Sequence, residues 1–181
     1  RENTAPYRVW VSEIMLQQTR VEAVKPFFER FMKALPDVRA LAECPEDELL
    51  KLWEGLGYYN RVRNMQKAAQ VIMTEYSGEF PADFEKLLAL PGIGSYTAGA
   101  ISSIAFGIPM PAVDGNVLRV ISRVKASYED VLKQSVKNAM EAEIREVIPK
   151  ERAGDFNQAL IEIGAIVCVP NGKAKCEECP L

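Results

Sequence analysis

The chain of 181 residues contains no histidine. That removes every mechanism built on an imidazole base and every metal site with a histidine ligand. It also lacks an apolar run of membrane length, for which about 20 residues are needed. The charged, apolar and small-residue succession of a secretory leader is missing as well. A soluble cytoplasmic protein is the default expectation. No convincing strand alternation is found, and no internal repeat or low-complexity tract. The short loops LPDV, GEFP, GIPMPAVDG and VPNGKAK each contain Pro or Gly. Together these features predict an all-α chain of about ten helices packed in two helical lobes. An excess of positive charge is lacking too: 22 Lys and Arg face 25 Asp and Glu, a net charge of −3. This counts against binding nucleic acid through bulk charge. It leaves room for a local basic face and for backbone contacts to phosphate.

What is present begins with an ordinary globular composition, 48% hydrophobic and 26% charged, enough for one domain or two small ones. Cysteines number four, of which Cys168, Cys176 and Cys179 crowd the C-terminus in a C-x7-C-x2-C spacing. Such a group in an intracellular protein reads as a metal or Fe–S site before it reads as disulfides. Three ligands are one short of the usual four. Arg1 is not a start methionine and the chain stops two residues after Cys179, so both ends are expected to be cut.

The stretch LPGIGSYTAGAISSIAFG predicts helix, tight turn, helix, over about 83–106. Pro91 ends the first helix, Gly92 and Gly94 supply the turn, and Ser95 is the expected N-cap of the second helix. Backbone N–H groups at such a turn can hold a DNA phosphate. An ordinary αα-hairpin has the same pattern.

Upstream, PYRVWVSEIMLQQTRVEAVKPFFERFMKALP reads as two helices with a break before Pro26. Glu13 sits among Val9, Trp10 and Leu16. It is either solvated at the edge of the apolar stripe or held in an apolar pocket, where burial favours the protonated acid that a general acid must be. From the helix alone the solvated edge is favoured. CPEDELLKLWEGLG predicts a short helix with Leu49, Leu52, Trp53 and Leu56 as its core face. The next helix starts near Tyr58 and Tyr59, with Arg61, Arg63 and Lys67 close by. Basic residues beside aromatics suit a nucleic-acid face, although a solvated charged face is favoured for one such patch. Asp114 precedes GNVLRVISRVKAS, whose Val117, Leu118, Ile121 and Val124 form an apolar stripe. An aspartate there is a natural N-cap, and the helix N–H groups would keep it ionised. Ile161, Gly164, Ala165 and Val167 are expected to pack closely before the tail cysteines.

In order, VWVSEIMLQQTRV, WEGLGYYNRVRN, LPGIGSYTAGAI, AVDGNVLRV and FNQALIEIGAIVC resemble the helix-hairpin-helix DNA glycosylases from Pro6 to Leu181. Within them the likeness is to the branch acting on adenine mispaired with 8-oxoguanine or guanine. The resemblance implies two lobes with double-stranded DNA bound across the cleft between them. A six-helix barrel over 6–113 would carry the hairpin, and residues 1–5 plus 114–181 would form a [4Fe-4S]-cluster lobe. It implies catalytic roles for Glu13 and Asp114, with Tyr96 and Asn116 lining the pocket. It places Gln18, Thr19, Tyr58, Arg61, Gly92, Gly94 and Ser95 against DNA, with Gln18 and Tyr58 wedged into the stack. Cys168, Cys176 and Cys179 match three of four cluster ligands, with seven residues in the first gap where the commonest family spacing has six. The fourth cysteine is expected a few residues beyond Leu181. The family's C-terminal domain, which helps to recognise 8-oxoguanine, is also absent, so weaker opposite-base discrimination is expected. Where the related endonuclease III proteins carry a Schiff-base lysine, this chain has Tyr96. A phenol cannot form that imine, which implies a monofunctional glycosylase rather than a glycosylase-lyase. The resemblance further implies a monomer at the bacterial nucleoid, without a membrane partner.

Overall fold

The computed structural model describes residues 4–19 and 21–181. Ten α-helices and no strand are found among the described residues, so the predicted all-α class holds. No helix among them is long and apolar enough to cross a membrane. The chain divides into two compact units, Arg1–Ile101 and Ser102–Leu181. The expectation that residues 1–5 belong with the C-terminal helices falls partly outside the described residues.

The first unit opens with α1 (Pro6–Leu16), started by a proline in its first turn, where no N–H is needed. Val9, Trp10, Val11, Glu13, Ile14 and Met15 of this helix are all buried. An α-helix buried on so many sides stands inside its lobe rather than on it. Trp10 packs edge-on against Tyr7 and Phe80, with ring centroids 6.3 and 5.3 Å away. α2 (Val21–Ala34) follows, with Pro26 inside it. The break thus lies at residues 17–19 and not before Pro26. Gln17 is extended there and Gln18 is left-handed at φ 59°, so the chain turns before the proline is reached.

α3 (Val38–Glu43) is capped by Asp37, whose carboxylate accepts from the Ala40 amide. α4 (Glu46–Trp53) has an acidic first turn, which suits the positive end of the helix dipole. α5 (Asn60–Glu75) packs on α3 and α4, and α2 packs on α1 and α4. Phe31 and Trp53, both fully buried, meet edge to face at 5.9 Å. The hairpin follows as α6 (Phe84–Leu88) and α7 (Ser95–Phe106). Gly94 takes the cap position, since its carbonyl accepts the Ala98 amide, and Ser95 is the first helical residue instead of the expected cap. The unit boundary falls inside α7.

In the second unit, α8 (Gly115–Val124) packs on α9 (Gln134–Val147) and α10 (Ala153–Glu162). Val113, Val117, Leu118, Val120, Val136, Met140, Ile144 and Leu160 make its core. Val124 is exposed, and Val120 is buried beside Val117 and Leu118 in its place. After α10 the chain widens into a π turn, Ile163–Val167, which ends at Cys168. Gly164 alone is buried in that turn. A Cβ there would lie 2.5 Å from the Cβ of Asn116, so the close approach requires glycine. The widened turn leaves Ala165 exposed, contrary to its expected packing.

Candidate active site

Glu13 is only 2% exposed, so the solvated-edge reading fails. The reason is tertiary: α1 is covered on its polar side as well as its apolar side. The Tyr96 hydroxyl, at the start of α7, donates to Glu13 Oε2 at 2.7 Å. A buried carboxyl needs such partners, because an unpaired one would lose solvation it could not recover.

In the second unit Asp114 is half-buried and caps α8. Its Oδ1 accepts from the Asn116 and Val117 amides, both at 2.9 Å, and its Oδ2 accepts from the Asn116 side-chain amide at 2.7 Å. Arg119, one turn along α8, donates to Asn116 Oδ1 at 2.8 Å, to the Gly164 carbonyl at 2.6 Å and to the Cys168 carbonyl at 2.8 Å. Sequence reasoning passed over Arg119. Its signal was the three-residue spacing from Asn116, which puts both on one helix face. Asn157 was also passed over. Fully buried, it joins the Ala112 amide, the Ser103 hydroxyl and the Met110 carbonyl, and so steadies the loop that leads to Asp114. A cavity of about 630 Å³ opens beside Asp114, lined also by Arg119, Arg123 and Lys137. That volume lies within the range of small-ligand sites.

Two turns stand at the far end of α1 and after α4. Leu16–Thr19 closes with the Thr19 amide on the Leu16 carbonyl at 3.2 Å. With Gln17 at φ −58°, ψ 117° and Gln18 at φ 59°, it has the form of a type II turn. The turn Trp53–Leu56 has the same form, with Gly55 in the left-handed place that glycine favours. Gln18 occupies that place with a side chain. Tyr58 is likewise left-handed, at φ 48°. Each non-glycine residue there costs on the order of 1 kcal/mol. Ser77 and Ala126, the other such residues described, simply follow the ends of α5 and α8. Gln18 and Tyr58 are both exposed and Thr19 is half-buried.

Arg61 does not project to solvent. Its guanidinium donates to the carbonyls of Ile14, Gln17, Leu56 and Gly57, and burial lowers its pKa from the usual value. Of its basic neighbours, Arg63 is paired with Glu46 at 2.8 Å. At the hairpin, Gly92 is exposed at φ 75°, and a Cβ there would lie 2.7 Å from the Cβ of Asn64. Gly94 is exposed with nothing within 4 Å of an added Cβ, and Ser95 is half-buried.

Cys168 is half-buried, and Arg123 donates to its sulfur at 3.3 Å. Cys176 is exposed and Cys179 half-buried. By donor type three thiols suit an iron–sulfur group. However, no group of three or more Cys, Asp or Glu is gathered as a metal site among the described residues, so the fit is incomplete. Cys44 ends α3, its thiol directed to the Pro45 carbonyl, with its pKa raised by burial and then by Glu48.

The chain is 41% identical over 179 residues to the adenine DNA glycosylase of Buchnera aphidicola subsp. Acyrthosiphon pisum, covering 99% of this chain and 51% of that protein. It is 44% identical over 176 residues to the adenine DNA glycosylase of Mus musculus, covering 97% of this chain and 34% of that one. It therefore spans about half the length of the first relative and about a third of the second. Among solved structures, a thermostable thymine-DNA glycosylase superposes with a TM-score of 0.84 at 29% identity, over 98% of this chain and 82% of that one. A non-covalent endonuclease III–DNA complex superposes with a TM-score of 0.83 at 29% identity, over 97% and 80%. Residues 11–150 match the family described as HhH-GPD superfamily base excision DNA repair protein, and the chain belongs to that family.

Proposed function

We propose that the chain is the catalytic part of a monofunctional DNA glycosylase that hydrolyses the N-glycosidic bond of adenine opposite 8-oxoguanine or guanine. The observation that carries this reading is the buried Glu13 carboxyl with the Tyr96 phenol, and not an amine, 2.7 Å from it. The adenine DNA glycosylase relatives support the choice of base. Cleavage builds positive charge on the sugar and negative charge on the departing base. Glu13, oriented by the Tyr96 hydroxyl, delivers a proton to adenine N7, so the base leaves neutral. The Asp114 carboxylate stabilises the oxocarbenium-like sugar. Water then adds to C1′ and yields its proton to the carboxylate that acted as acid. Two carboxyls with opposite tasks are the usual solution for glycosidic bonds. The adenine must first leave the helical stack, with Gln18 and Tyr58 filling the space, Thr19 beside them, and Gly92, Gly94 and Ser95 holding a phosphate at the hairpin.

In this reading residues 6–113 form the barrel and 1–5 plus 114–181 the second lobe. Cys168, Cys176 and Cys179 would hold three corners of a [4Fe-4S] group, which would brace the tail without entering the reaction. The protein works as a monomer on double-stranded DNA, in the cytoplasm at the nucleoid.

The test is release of free adenine from duplexes carrying A:8-oxoguanine or A:G, run with and without borohydride. Adenine release without a trapped protein–DNA adduct is expected. A trapped adduct, or release of a damaged pyrimidine instead, replaces the reading with a glycosylase-lyase like the endonuclease III neighbours.

A further inference from the structure

Arg61 lies at the start of α5, yet its guanidinium reaches two separate turns. Nη1 donates to the Ile14 carbonyl at 2.9 Å and the Gln17 carbonyl at 2.6 Å. Nη2 donates to the Leu56 carbonyl at 3.1 Å and the Gly57 carbonyl at 3.4 Å. The cation also lies over the rings of Tyr58 and Trp53, 5.3 and 5.6 Å from their centroids. Trp53 Nε1 donates to the same Gly57 carbonyl at 2.9 Å. Gln17 precedes Gln18 and Gly57 precedes Tyr58, the two residues held left-handed without the glycine such a backbone favours. A carbonyl fixed by a charged donor sets the peptide plane, and hence the backbone angle, of the residue that follows it.

We infer that Arg61 is a positioning residue that couples the two turns, presenting Gln18 and Tyr58 to DNA as one rigid wedge. What the wedge does rests on the glycosylase reading, whereas the coupling stands on the hydrogen bonds alone. Only a planar fork can serve this purpose. A lysine keeps the charge but offers one nitrogen, which cannot span four carbonyls at and beside the two turns. The signal in the sequence was the one that first suggested a DNA contact, a cation beside Tyr58; its direction is inward.

The test compares wild type with R61K in the full chain. Amide exchange is followed at residues 16–19 and 56–59. Single-turnover adenine release is measured beside duplex affinity, and 2-aminopurine replaces the target adenine to report its departure from the stack. In R61K, exchange is expected to quicken at both turns together while the cores of α5 and α7 stay protected. Excision and the 2-aminopurine signal should fall by roughly 10- to 100-fold, as small misplacements do, with duplex affinity within about threefold because phosphate contacts persist. A second variant, R61K/Q18G, relieves the left-handed strain at position 18 and should regain protection at 16–19. Unchanged exchange in R61K, quickening at one turn only, or quickened exchange with unaltered excision would each overturn the inference. So would failure of both variants to fold, which would make Arg61 a brace for the whole unit. A wild-type chain that releases no adenine defeats the glycosylase reading instead, and the exchange contrast still decides the coupling.

Discussion

The two carboxylate sites are built in opposite ways. Asp114 is held by its own neighbours: the next residues along the chain supply every amide that reaches its oxygens. Glu13 is held by distance in sequence, since Tyr96 comes from another helix and the burial comes from packing around α1. The local site can keep its geometry while half open to water. The assembled one depends on its lobe remaining intact. In the proposed reaction this division matches the tasks, because helix N–H groups fix the carboxylate that faces the sugar while packing and Tyr96 fix the acid that meets the base.

The largest expected effects break this comparison at its two poles. Glu13→Gln preserves size and an acceptor for Tyr96 but cannot give up a proton. Single-turnover adenine release should fall by roughly 10³-fold, in the upper range for a lost general acid. Rates unchanged from wild type would remove Glu13 from the acid role. Asp114→Asn should lower the rate by about 100-fold, while urea unfolding shifts by less than about 0.5 kcal/mol, since Asn caps a helix as well as Asp. Asp114→Ala should cost a further ~1 kcal/mol of stability. Equal stability losses for Asn and Ala would show that the cap contributes nothing.

The hairpin glycines sharpen the contrast between assembled and local constraint. Gly92→Ala forces a Cβ into Asn64 at a positive φ and should destabilise by more than about 1 kcal/mol. Gly94→Ala meets open space, so the melting temperature should hold while duplex affinity drops, by several-fold or roughly 1 kcal/mol, if backbone approaches backbone there. A Gly94 variant with full affinity would separate this turn from phosphate.

The smallest effect appears only in alkali. Tyr7, on the helix that carries Glu13, donates its buried phenol to the Leu35 carbonyl at 2.8 Å. Burial, then the charges of Asp37 and Cys44, push its pKa well above the usual 10.0. The folded state therefore keeps a proton that the unfolded chain gives up. Its contribution is complete below pH 10 and is lost above that, by at most about 1.4 kcal/mol per pH unit. Tyr7→Phe should flatten the fall in stability above pH 10, as read by urea titration. An unaltered slope would place the alkaline sensitivity elsewhere.

Much of this arrangement was legible in order along the chain. The helix-turn-helix at LPGIG, the capping Asp114 and the acidic start of α4 are local signals, written within a few residues of where they act. The break after α1 was misread because Pro26 is the louder signal, yet a type II turn at Gln17 and Gln18 ends the helix first. Ser95 was misplaced by one position for a similar reason: Gly94 serves as the cap without advertising a side chain. Burial of Glu13 was illegible because one helix reveals its own stripe and not what covers its other faces. Arg61 was read as outward because a cation beside aromatics looks the same whether it faces DNA or a ring of carbonyls.

The amino-acid sequence by itself determined the helices, the hairpin turn and the Asp114–Asn116 cap. Each depends on backbone preference and hydrogen bonds closing over three or four residues. Only the tertiary structure decided that Glu13 is withdrawn from water, that Tyr96 meets it and that Arg61 turns inward. These depend on desolvation and on donors brought from tens of residues away, and no local preference carries that information.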